Sequence, residues 1–312
     1  MGRTKTPDIW RAAIIGGGKV GTTLGRILVE EGHHVACVIS RTARSAKASA
    51  DFIGCDVAGT DIAAIPGDVN LILIATPHGA VPDVARALGR LEREMKDVAV
   101  CHASGMLTAA VLDPVKAKGA TVFSFHPIQA FPRTFACDDI VPNVRGISYG
   151  VDGTAAGVRM AHMLARALKG YAVEIPPKMR AFYHAAAVVA SNHLTTLLGV
   201  LHEMSPSFAP EGTDWMSIYF PIIMASIGNA RMATPGVALT GPVARGGVET
   251  VARHLDALRE HAPDLVPFYA AVSLETTRLA ARSGSLTQAQ QDELHRLLEP
   301  LLSPAVRKRK PS

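Results

Sequence analysis

The chain has 312 residues, 48% of them hydrophobic and 19% charged, a balance that excludes a disordered or low-complexity protein and points to a folded enzyme-sized one. That length exceeds what one core comfortably supports, so two domains are expected. Of the net charge of +5, Arg307-Lys308-Arg309-Lys310 supplies four units and the remaining 28 basic and 27 acidic residues nearly cancel; no aromatic platform or recognition motif accompanies that tail, so no nucleic-acid partner is expected.

The first fifteen residues end in a short apolar run, 12–15, that meets Gly16-x-Gly18-x-x-Gly21. An amphipathic helix follows, with Leu24, Ile27 and Leu28 on one face, and then a second strand, His34–Ile39. Strand, glycine turn, helix and strand in this order predict a dinucleotide site. Gly16 permits the tight bend, Gly18 admits the pyrophosphate, and Gly21 lets helix and sheet approach. The helix N-terminus at Lys19, Val20 and Gly21 offers free N–H groups to phosphate.

The second strand ends in Ser40-Arg41-Thr42, with Arg44 close behind, where an NAD site carries an Asp or Glu for the ribose hydroxyl. A guanidinium flanked by hydroxyls suits a 2′-phosphate, so NADP(H) is expected over NAD(H). The plainer alternative makes Arg41 a solvated strand-end arginine.

A helix over 43–52 and a weak strand at 56–58 precede 69–75, a near-continuous apolar run of the kind covered on both faces. It stops at Thr76-Pro77-His78. A helix over 81–95, strands at 98–101, 121–125, 146–150 and 172–175, and a helix over 155–168 complete an open parallel sheet with helices on both faces. Beyond Pro176-Pro177 the pattern turns helical without strands, over 179–204, 215–232, 249–261, 265–281 and 288–302. Thr287-x-x-Gln290 opens the last of these as a capping box. The expected fold is therefore α/β: a Rossmann-type domain over 1–176, an all-helical domain over 177–302 and a basic tail over 303–312.

In such sheets ligands bind at the carboxyl ends of strands, which selects the remaining candidates. Thr76, Pro77 and His78 join the cofactor set. His102-Ala-Ser104-Gly105 and Ser124-Phe-His126-Pro-x-Gln129 follow adjacent strands, and an imidazole suits the proton of a nicotinamide reaction. Lys178, Tyr183-His184 and Ser191-Asn192-His193 open the helical half. At spacings of seven and eight, His184, Ser191 and Asn192 can share a helix face. Thr240-Gly-Pro-Val-Ala-Arg245-Gly-Gly247 precedes a helix and could receive an anion. For each, the alternative is a structural role alone.

Cys37, Cys55, Cys101 and Cys137 show no ligand spacing, so neither a metal nor a disulfide framework is expected. The start MGRTKTPDIW has no apolar run, and stretches such as 185–190 fall short of a membrane span, which predicts a cytoplasmic protein without a membrane partner.

GGGKVG, HASG, SFHPIQAF, YHAAAVVASNH and ALTGPVARG, in this order, resemble the Rossmann-like family that carries a DUF2520 helical domain, within the group of pyrroline-5-carboxylate reductase, ketopantoate reductase and the β-hydroxyacid dehydrogenases. The resemblance implies an oxidoreductase with a nucleotide-binding first domain and a helical domain that forms a homodimer. The family's RGD is Arg245-Gly246-Gly247 here, and the lysine-x-x-x-asparagine pair of the dehydrogenases is absent, since Phe182 stands four residues after Lys178. The resulting expectation is an NADPH-dependent reductase of a small carbonyl or imine, with Lys178, His184, His126 and Asn192 as catalytic candidates and Arg245, Ser104 and Thr240 toward the substrate. The rival readings are a non-catalytic NADP(H) sensor or partner subunit, and a deazaflavin-linked NADP reductase.

Overall fold

The computed structural model describes residues 9–302; the opening octapeptide and the basic end at 307–310 lie outside the described residues. The chain divides into two compact units, Met1–Leu194 and Thr195–Ser312.

The first unit is built on one sheet of eight strands: β1 (Arg11–Ile15), β2 (His34–Ile39), β3 (Ala58–Gly59), β4 (Leu71–Ile74), β5 (Ala99–His102), β6 (Thr121–Pro127), β7 (Ser148–Gly153) and β8 (Tyr171–Glu174). Their order is β3-β2-β1-β4-β5-β6-β7-β8. The order reverses between β1 and β4, which opens a crevice at their carboxyl ends. Alternation explains why the strands read as unbroken apolar runs. Ala12 and Ile14 of β1, with Leu71 and Leu73 of β4, enter one core cluster; Ala13, Ile15, Ile72 and Ile74 enter the other.

Helices cover both faces. These are α1 (Lys19–Glu30), α2 (Ala43–Ile53), α3 (Val81–Gly89), α4 (Asp113–Lys116), α5 (Cys137–Val144), α6 (Ala155–Ala167) and α7 (Arg180–Val188). Leu24, Ile27 and Leu28 of α1 and Leu164 of α6 pack on one face, and Val81, Ala85 and Leu88 of α3 on the other.

Two expectations are corrected within the sheet and its cover. β7 runs antiparallel to β6, whereas all other neighbours are parallel; a buried strand's apolar pattern carries no mark of direction. Helix α3 ends at Gly89 instead of continuing to residue 95; that glycine packs closely on Pro114, whose carbonyl oxygen lies 2.8 Å from where a Cβ would stand.

A helical run spans Pro177–Ser207 without interruption by a loop. It comprises a 3-10 turn (Pro177–Met179), α7, a π-turn (Val189–His193), α8 (Leu194–Met204) and a second 3-10 turn (Ser205–Ser207). The sheet-bearing unit extends into this run as far as Leu194, past the boundary expected at residue 176, because the buried Arg180 is bonded to the strand-end loops. Within this 31-residue run an 18-residue window has a mean hydropathy of 1.2, enough to cross a membrane by length and composition alone. No unbroken apolar stretch reaches that length, since Ser191, Asn192 and His193 interrupt the segment.

The second unit continues with α9 (Trp215–Met232), α10 (Pro235–Ala238), α11 (Val248–His261), α12 (Val266–Arg282) and α13 (Gln288–Leu298). Val251 and Leu255 of α11, Ala270 and Leu274 of α12, and Leu294 and Leu298 of α13 form its core. The Thr287–Gln290 capping box is present. Helix α9 contributes nothing to that core and carries no buried residue.

Candidate functional site

At the crevice, each glycine of the first turn answers to a neighbour. Gly16 has φ +116°, and a Cβ there would lie 2.7 Å from the Ala75 carbonyl group at the end of β4. A Cβ on Gly21 would stand 2.2 Å from the Gly16 carbonyl oxygen. Gly18, by contrast, faces open space: a Cβ there would meet no heavy atom within 4 Å. Gly17, which sequence reasoning passed over, is also constrained, its Cβ position lying 2.8 Å from the Ser45 carbonyl oxygen. Ser45 Oγ in turn donates to the Gly17 carbonyl, so the glycine turn and the loop after β2 brace each other.

The start of α1 has the character of an anion site. Its N-cap is Gly18, with no side chain to satisfy the first N–H groups and no acidic residue in the first turn. Lys19 and Val20 are half-buried beside it. After β2, Ser40 is half-buried while Arg41, Thr42 and Arg44 are exposed. Thr42 Oγ1 accepts from Ser45 N and caps α2, so part of its capacity serves the helix. Across the crevice Thr76 Oγ1 is buried without a hydrogen-bond partner, and Pro77 and His78 are exposed at the following 3-10 turn.

A second cluster lies at the ends of β5, β6 and β7, under the first turns of α7. Arg180 is 2% exposed. Its Nε donates to the Gly105 carbonyl and its Nη2 to the Ser104 carbonyl, both at 3.0 Å, and Nη1 stands 3.2 Å from Asp152 Oδ2. Asp152 also accepts from Ser124 Oγ at 2.6 Å and from Ala109 N at 2.7 Å. Sequence reasoning missed Arg180, Asp152 and Ser124 as a unit. Only the polar letters inside strand-like runs could have drawn attention to the last two.

Over this base sit three rings. His126 Nδ1 and the Tyr183 hydroxyl are hydrogen-bonded at 2.7 Å, and the His126 and His184 rings are 5.7 Å apart. Glycines make the room: a Cβ on Gly150 would lie 2.2 Å from the Tyr183 oxygen, and one on Gly105 would lie 2.5 Å from His184 Nδ1 and 2.8 Å from His126 Nε2. Burial, helped by the Arg180 charge, lowers the His126 pKa to about 4, so this imidazole is neutral near pH 7. Burial pushes the Tyr183 phenol up to about 12, so it keeps its proton.

The remaining candidates distribute unevenly. Ser104 is buried with its Oγ accepting from Met106 N and Leu107 N, which engages the oxygen with its own loop. His102 is similarly occupied, bonded to the Thr108 carbonyl and accepting from Ser104 N. Lys178 is exposed on its 3-10 turn, and Asn192 is exposed within the π-turn. That turn spends extra residues per revolution, which displaces Ser191 and Asn192 from the regular-helix alignment with His184. In the second unit Thr240 and Arg245 are exposed, and the Arg245 carbonyl accepts from Gln290 Nε2. Among the described residues there is no group of three metal-ligating side chains.

Comparison with known proteins agrees with this architecture. Residues 4–127 match the Rossmann-like domain and residues 147–276 the domain of unknown function DUF2520. No functionally curated protein matches the chain. Among solved structures, a candidate NADP oxidoreductase from Bacteroides fragilis is 19% identical at a TM-score of 0.69, over 86% of this chain and 98% of that one. A pyrroline-5-carboxylate reductase from Coxiella burnetii is 12% identical at 0.57, over 88% and 98%. A reductive aminase from Aspergillus terreus, in complex with NADPH and ethyl levulinate, is 16% identical at 0.54, over 94% and 93%. At these identities the likeness is one of fold. The chain thus carries a match to a Rossmann-like domain followed by a match to a DUF2520 domain, each over less than half of its length.

Proposed function

We propose that this chain is an NADPH-dependent oxidoreductase that reduces a small carbonyl or imine compound. One observation carries the reading: the uncapped N-terminus of α1 opens at the strand-order reversal, beside a β2 end that bears Arg41 and no carboxylate. Backbone N–H groups at Lys19, Val20 and Gly21 would hold the pyrophosphate, with Gly18 leaving the approach clear. Arg41, with Ser40 and Thr42, would hold the 2′-phosphate through charge-assisted bonds. The buried, unpartnered Thr76 hydroxyl also fits a crevice made for a polar ligand. When bound, NADPH supplies the hydride.

The chain's own share is to hold the acceptor and handle a proton. His126 and His184, brought together over Gly105, suit the first task better than the exposed Lys178. The relatives support the chemistry by analogy, since an NADP oxidoreductase candidate and an NADPH-bound reductive aminase share the fold.

The exposed apolar faces support a homodimer through the helical unit. Phe220, Ile222 and Met224, spread around α9, are each about half exposed or more, which is unusual for a helix left to water.

Calorimetry with NADPH and NADH, followed by NADPH oxidation against 2-oxo acids, aldehydes and cyclic imines, tests the proposal. Tighter binding of NADPH and turnover of a panel member are expected. Equal affinity for the two nucleotides would refute the role of Arg41, and no binding of either would refute the function.

A further inference from the structure

We propose that Tyr183 is a positioning residue that fixes the tautomer of His126, making Nε2 a hydrogen-bond donor to an uncharged carbonyl or imine ligand. The inference rests on the reductase reading above and names the class of group that its site receives.

The Tyr183 hydroxyl and His126 Nδ1 are 2.7 Å apart, and either could donate. Counting protons decides between them. If Nδ1–H donated, the phenolic proton would have no acceptor among the described residues and Nε2 would keep an unused lone pair. If Tyr183 O–H donates, both groups of this bond are satisfied and Nε2–H is left to a ligand, beside His184 Nδ1, which is itself buried without a partner. An unmade hydrogen bond at a half-enclosed group costs more than a made one contributes. The tyrosine's raised pKa keeps it a donor over the working range.

The surroundings select the ligand's charge. The Arg180 guanidinium lies 5.3 Å from the Tyr183 ring centroid, and it is engaged by Asp152 and by the Ser104, Gly105 and Gly150 carbonyls. His126 itself is neutral. An ionised carboxylate placed at Nε2 would lose hydration without gaining a counter-charge, whereas a carbonyl oxygen or imine nitrogen needs only the one donor. The two glycines fit this reading. Gly150 clears the seat of the phenol and Gly105 the approach of both imidazoles.

The test uses the full chain labelled with 15N-histidine, long-range proton–nitrogen spectra near pH 7.5, and H126Q to assign His126. The expected spectrum has Nε2 protonated and Nδ1 bare, and Y183F should lose this single tautomer. A wild-type His126 protonated at Nδ1, or a Y183F spectrum with the tautomer unchanged, overturns the proposal. If Y183F does not fold, the wild-type spectrum decides alone. Acetamide in excess should shift the His126 Nε2 resonance, and acetate should shift it less; the reverse order, or no response to acetamide, overturns the ligand class. NADPH binding is measured on the same sample. Its absence would defeat the reductase reading while leaving the tautomer result to stand or fall separately.

Discussion

Arg180 and Asp152 form an ion pair 3.2 Å long with side chains only 2% and 4% exposed, and this pair ties the first turn of α7 to the ends of β5, β6 and β7. Around it Asp152 also accepts from Ser124 and Ala109, and Arg180 also donates to the Gly105, Ser104 and Gly150 carbonyls. The bond network, rather than apolar packing, brings Tyr183 and His184 to His126.

Breaking that pair on one side should be costly. Arg180→Met leaves the Asp152 carboxylate buried without its counter-ion, for which about 3–5 kcal/mol of stability is expected to be lost. The double variant Arg180→Met, Asp152→Leu should lose less than the single one, because no unpaired charge remains. Urea denaturation of both gives the comparison. Equal losses would mean that the charge is not what matters.

The two lowered histidines predict a pH dependence. His102 and His126 each have a folded-state pKa of about 4 against an ordinary 6.5, chiefly because burial disfavours the charged ring. The unfolded chain therefore binds more protons between those values, and stability falls as pH drops from about 6.5 to about 4. Each ring contributes on the order of 3 kcal/mol across that window. His126→Gln should flatten the slope of unfolding free energy there. An unchanged slope would show that His126 is protonated in the fold.

Much of the crevice at the β1 and β4 ends was legible because glycines mark backbone conditions directly. Gly16, Gly18 and Gly21 sit where the turn, the open approach and the close packing require them. Gly17 was not legible, since its constraint comes from Ser45, a loop away in space. The second cluster was only partly readable. His126 was singled out as a polar group at a strand end and His184 near the start of the helical half, but the letter for Arg180 says nothing about burial. The direction of β7 and the π-turn at Val189–His193 likewise depend on tertiary pairing and not on local pattern.

Gly18 and Gly21 should separate binding from folding. Gly18→Val places its side chain in open space, so stability should change little while the branched group blocks the pyrophosphate. Gly21→Ala drives a Cβ to within 2.2 Å of the Gly16 carbonyl oxygen and should destabilise the unit by about 1–3 kcal/mol. Thermal melts and NADPH calorimetry on both variants check the contrast. A Gly18→Val chain that binds NADPH normally would remove the pyrophosphate from this turn.

The exposed apolar helices, α9 in the second unit and the run Pro177–Ser207 that starts in the first, invite two physical explanations, a subunit interface or a bilayer, and they differ in an observable. Ile222 is 64% exposed and Phe220 52% exposed on α9, and the run Pro177–Ser207 has none of its apolar window buried. The central Ser191, Asn192 and His193 would be costly in hydrocarbon, whereas a protein interface accommodates polar groups with partners. Ile222→Lys and Phe220→Ser should leave a lone exposed helix almost unaffected, within about 0.5 kcal/mol, yet convert a dimer to monomer by placing a charge or a hydroxyl in its contact. Sedimentation of the wild type and the variants, without detergent, is expected to show that conversion. Flotation of the wild-type chain with liposomes would instead assign the apolar face to a membrane.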